Sequence, residues 1–178
     1  MRVTLAGLLW LLSGLFCSVA SQDFNYVSQA QLGDAEFVAG WLKTNKSSLD
    51  IKGATTAFKL GQKYKKNRQW SSAAKSFGES AIRYPSPQTL MQYAEVKSLS
   101  LGAVRTREKV IAQFRVSDLT STLRLYQSAA AANGVLGSLS VAEKTKLEAN
   151  VDCLSAFVAA PDKPTKNCAP VKSYMGLL

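Results

Sequence analysis

Between Lys59 and Trp70 the chain sets five cations, Lys59, Lys63, Lys65, Lys66 and Arg68, among the aromatic rings of Tyr64 and Trp70. Cations to hold phosphates and rings to stack on bases are the chemistry of a nucleic-acid surface. Other reactive groups are scarce. The chain has no histidine, which removes Ser-His-Asp and Cys-His relays and the commonest transition-metal ligand. Cys153 and Cys168 lack the C-x-x-C spacing of a zinc or redox site, and no glycine-rich phosphate loop is present. Acidic residues are few and dispersed: Asp34, Asp118 and Glu143 stand where helices would be capped, not where two carboxylates would share a substrate. These residues predict a protein that is not an enzyme and needs no cofactor or metal.

The elements that must position the basic stretch are read after an N-terminal leader is set aside. Arg2, an apolar run from Leu5 to Phe16, and small residues at Ser18 and Ala20 have the layout of an export signal cleaved after Ala20. The run is too short for a stable bilayer span, which takes about 20 residues. Phe16 stands where a lipobox before Cys17 would need a small side chain, which argues against lipidation. The mature chain, 21–178, is a single domain that stays strongly basic, from a net charge of +10 for the whole sequence. Release into a periplasm and release outside the cell are both compatible with such a leader. In an oxidising compartment Cys153 and Cys168 most simply pair, closing a loop worth about 3 kcal/mol; two free thiols are the alternative.

Helical spacing recurs through the mature chain and strand alternation does not, so the expected fold is all-α. One helix follows Asp34 with Phe37, Val38, Trp41 and Leu42 on its apolar stripe. A second is expected at 53–66, a third at 71–84, and a fourth opened by Ser86 and Pro87 and ended near Leu101 by Gly102. A short segment follows at 109–114, then a helix from Leu119 to Ala132 stopped at Asn133-Gly134. Ser140 and Glu143 are spaced as a capping box that opens a helix to about Ala160, and an irregular tail, 161–178, completes the chain.

Within this plan Gly61 marks a close helix crossing, since glycine inside a helix costs about 1 kcal/mol relative to alanine. Ala73, Phe77 and Ala81 make a small, large, small ridge on the next helix. At these residues the chain resembles the tetratricopeptide repeat, a 34-residue helix–turn–helix. With the repeat started at Ala54, its signature positions fall on Leu60, Gly61, Tyr64, Ala73, Phe77 and Pro85, its later small position on Ser80, and a helix-opening aromatic on Trp70. The family's early tryptophan is replaced by Ala57, and a following repeat begun at Gln88 has Glu95 in place of glycine.

The resemblance implies a short stack of antiparallel helical hairpins over about 34–132, capped by the helix at 141–160; a closed helical bundle is the alternative. It also implies a concave groove for a protein or peptide partner, possibly acidic, lined by Thr55, Phe58, Gln62, Lys65, Lys66, Thr89 and Gln92. Tyr64 and Trp70 are then engaged in packing, so nucleic acid is not the expected partner. The expected function is an exported scaffold or adaptor; the alternatives are a basic protein bound to an anionic membrane or cell-wall polymer, and an enzyme of unfamiliar type. In the bland reading the lysines are merely a solvated face.

Overall fold

The computed structural model describes residues 23–107, 116–161 and 167–175, with side-chain positions for all of these except 104–107. The leader, the segment expected at 109–114 and part of the tail lie outside the described residues. Seven α-helices are described and, among the described residues, no strand. They are α1 Ala35–Thr44, α2 Ile51–Lys66, α3 Trp70–Arg83, α4 Pro87–Arg107, α5 Val116–Leu136, α6 Val141–Ala159 and α7 Ala169–Met175, with a 3-10 turn at Gln31–Gly33 before α1.

Local signals set most of the helix starts. The Asp34 carboxylate accepts from the backbone N–H of Phe37 at 2.9 Å, and that of Asp50 from Gly53 at 2.8 Å. Each satisfies an N–H that the first turn leaves without a helical acceptor. Ser86 Oγ accepts from Thr89 N–H ahead of Pro87, whose missing N–H is harmless at a first helical position. Ser140 and Glu143 form the reciprocal capping box, with Glu143 accepting from Ser140 N–H at 2.8 Å.

Three expected boundaries move. Gly102 does not end α4: it is buried inside the helix, where a Cβ would run into the backbone carbonyl of Ser173 in α7. It is a crossing glycine, not a stop. Nor does Asn133-Gly134 end α5, which continues to Leu136; Gly137, with φ +58°, then takes the left-handed conformation and donates to Asn133 O at 2.8 Å. Part of the expected irregular tail is the helix α7, whose Val171 and Tyr174 join the core. Cys153 of α6 and Cys168, the residue before α7, form a disulfide with Cα atoms 5.5 Å apart.

The helices α2, α3, α4 and α5 pack each on the next in chain order, and α6 packs on α5. The exceptions come from opposite ends of the chain: α1 packs on α5, and α7 on α4. One continuous apolar cluster results, drawing Val38 and Leu42 from α1, Phe77 from α3, Leu90 and Val96 from α4, Leu119 and Tyr126 from α5, and Leu147 and Leu154 from α6. Helix α2 contributes little to it, with only Ala54 and Gly61 buried.

The α2–α3 contact is close because one side has no side chain. A Cβ at Gly61 would lie 2.9 Å from three atoms of the Phe77 ring, and Phe58 meets the same ring edge-on at 5.2 Å between centroids. Ser80 Oγ donates to Ala54 O at 2.8 Å one turn from each helix end. In urea unfolding, Phe77→Ala is expected to lower stability by about 3–5 kcal/mol and Gly61→Val by about 1–3 kcal/mol. The double variant is expected to lose less than the sum, since the truncated ring makes room for the new side chain. Additive losses would show that the two residues do not touch.

Candidate functional site

On the side of α2 and α3 turned away from α4 runs a groove of about 950 Å³. Its α2 wall is Gly53, Thr56, Ala57, Leu60 and Tyr64, and its α3 wall Ser72, Lys75, Ser76, Glu79 and Arg83. Both sets follow the same i, i+3, i+4, i+7, i+11 pattern, so each is one face of its helix. The α2 wall is about 16 Å long at 1.5 Å per residue, three turns of helix. Small residues at 53, 57, 72 and 76 keep it open, while Leu60 stands in its middle 44% exposed. Lys52 and Lys75 also line it, and neither has an ion-pair partner among the described residues.

One end of the groove is built by polar contacts. Arg83, in the last turn of α3, donates to Asp50 at 2.6 Å, so the cap of α2 also ties the hairpin's open end together. The Arg83 guanidinium lies over the Tyr26 ring, 5.3 Å from its centroid. Val27 N–H donates to Ile82 O at 2.9 Å and Gln29 to the Tyr93 hydroxyl at 2.9 Å, holding residues 24–29 along the end of α3. Phe24 of this segment reaches the groove mouth. The Gly53 N–H first, then Arg83, hold the Asp50 carboxyl below its ordinary range.

The residues expected to line a groove between α2 and α4 are divided by the structure. Thr55, Phe58 and Thr89 border a depression of about 190 Å³, but Thr89 is buried and Phe58 is engaged on Phe77. Lys65 is not free for a partner: its ammonium donates to Gln92 at 2.9 Å and to Glu95 at 2.8 Å. Lys146 of α6 approaches the other oxygen of Glu95 at 3.5 Å, so this face is an internal ion-pair network. Gln62 and Lys66 are exposed.

Of the residues expected in hairpin packing, Gly61, Ala73, Phe77, Ser80 and Pro85 are buried and Tyr64 and Trp70 half-buried. Leu60 is the exception, left at the surface in the larger groove. The groove's own residues were missed. The pattern that marks them is the small pair Gly53 and Ala57 facing the small pair Ser72 and Ser76, each at a spacing of four.

Among the described residues no cluster of histidine, cysteine, aspartate or glutamate is suited to a metal ion, and no helix is long and apolar enough to cross a membrane. Compared with protein-family models, curated proteins and solved structures, the chain matches none.

The Asp50–Arg83 pair gives a test at the hairpin's end. A carboxyl depressed by folding stabilises the fold at pH above its unfolded value, about 3.9, and that stability is lost as pH falls through the depressed value. Asp50→Asn keeps a capping side chain but removes the charge. It is expected to cost about 1 kcal/mol at neutral pH and to flatten the acid limb of the stability curve below about pH 4. An acid limb as steep as that of the wild type would show that Asp50 does not carry it.

Proposed function

We propose that the protein is an exported helical adaptor, related to tetratricopeptide repeats at its α2–α3 hairpin, which holds a segment of another protein in the groove along α2 and α3. The observation that carries this reading is the groove, in which a large aliphatic side chain, Leu60, is left uncovered between small-residue walls. Hairpins of this kind bury such a side against a neighbouring helical unit, because one hairpin cannot cover its own apolar faces. Here the helix that precedes the hairpin in the chain, α1, is committed to α5.

The occupant the groove fits is an amphipathic helix of about three turns. Small residues on both walls allow close approach of a helix axis, and an aliphatic side chain of the partner would cover Leu60. Lys52 and Lys75 at the rim favour carboxylates on the partner. The chain's lack of histidine and of a carboxylate pair agrees with binding and not catalysis as the role.

The test is photo-crosslinking in the exported fraction, with a crosslinking residue at Thr56 on the groove wall. The expected result is one protein joined through a short, acidic, helix-forming segment, with recovery reduced about tenfold or more by Leu60→Asp and retained by Leu60→Met. Leu60→Asp leaves the fold intact because the side chain is already at the surface, which circular dichroism checks. Crosslinking unchanged by Leu60→Asp would overturn the reading, as would a bait that is never exported or does not begin at Ser21.

A further inference from the structure

Helix α2 has a second surface, which shares only Lys52 with the rim of the groove. From Ile51 to Lys66 it carries no acidic residue, and Lys52, Lys59, Lys63 and Lys66 follow one another at spacings of seven, four and three. At 100° per residue these four fall within about 60° of each other, on the side opposite the buried Ala54 and Gly61. All four are exposed and, among the described residues, none has an ion-pair partner. The hairpin's nearby carboxylates, Asp50 and Glu79, lie in the groove beside Arg83.

The placement of α2 makes this a ridge and not a patch in a hollow. Its helix partner is α3, and among the described residues its polar contacts to α4 come from Lys65. The lysine side therefore projects from the rim of the fold. Four ammonium groups along about 21 Å of one straight helix can meet a single plane together. No fork of donors accompanies the lysines, which act as mobile point charges suited to a diffuse anionic surface.

We infer that the Lys52–Lys66 ridge docks the protein onto an anionic lipid surface. Each lysine near such a surface contributes about fivefold to binding, so the four together are enough for reversible attachment. The groove floor around Leu60 opens roughly a quarter turn around α2 from the ridge, with only Lys52 shared at the rim, so docking leaves that floor open to a partner. This inference stands independently of what the groove holds.

The test is co-sedimentation of the chain lacking residues 1–20 with phosphatidylglycerol vesicles and with neutral phosphatidylcholine vesicles. Residues 1–20 are the expected export leader, so the chain from Ser21 is the form this reading places at a membrane surface, and circular dichroism checks that it is folded. Binding is expected on the anionic vesicles only, and to fall steeply between about 50 and about 300 mM salt. Changing Lys52, Lys59, Lys63 and Lys66 together to glutamine is expected to weaken it about tenfold or more. The same change at Lys43, Lys46, Lys144 and Lys172 removes as much charge and is expected to leave binding within about twofold. Glutamine matches lysine in helix propensity, so both variants stay folded.

Equal losses in the two variants would assign binding to net charge and overturn the ridge. No binding by the wild type, or full binding by the ridge variant, would overturn it too. Capture of soluble polyglutamate in preference to vesicles would instead make the ridge a surface for acidic proteins.

Discussion

The structure around the candidate site depends on one missing side chain. Because residue 61 has no Cβ, the Phe77 ring can sit against the α2 backbone, and the two helices come close enough for Ser80 to reach the carbonyl of Ala54. Any larger residue would have to push the ring aside, and Phe58 and the core behind it leave little room for that. The close crossing leaves α2 nearly without core residues of its own. Its other sides are thereby released: one to the groove, one to the lysine ridge, and one to the Lys65–Glu95–Lys146 network.

A second constraint decides which of these sides stays open. Helix α1 lies on α5, about eighty residues away in sequence, and so does the 3-10 turn before it. Helix α1 thus helps to close the far part of the core and, among the described elements, none packs on the outer side of α2 and α3. The polar cluster of Asp50, Arg83 and Tyr26 then serves as an end stop for the groove, keeping the stretch around Val27 along α3.

What the sequence made legible were the features whose causes are local. Asp34 and the Ser140–Glu143 box announce helix starts because the cap and the N–H it satisfies are three residues apart. Gly61 and Phe77 were readable because a glycine in a helix requires a reason and the facing ridge supplied one. Gly102 carries the same signal but was read as a stop, since its crossing partner, α7, lies some seventy residues further on and was not expected to be helical. Lys65 looked free because Glu95, one helix away, registered only as a departure from the repeat pattern. Leu60 fits the signature yet is exposed, because α1, the helix before the hairpin, packs on α5 and not over it. Pairings between distant helices, α1 with α5 above all, leave no periodic mark in either partner.

An open groove along α2 and α3 requires α1 and its preceding turn to sit on α5, away from the hairpin. An ideal Cβ at Gly33 lies 3.5 Å from that of Arg124, within reach of the roughly 3.8 Å separation found in disulfides. In the Gly33→Cys/Arg124→Cys variant the new pair is expected to oxidise spontaneously, leave Cys153–Cys168 intact and raise the unfolding midpoint. If the two new thiols stay reduced while the native disulfide forms, the N-terminal unit lies elsewhere and the groove along α2 and α3 loses its claim to be open.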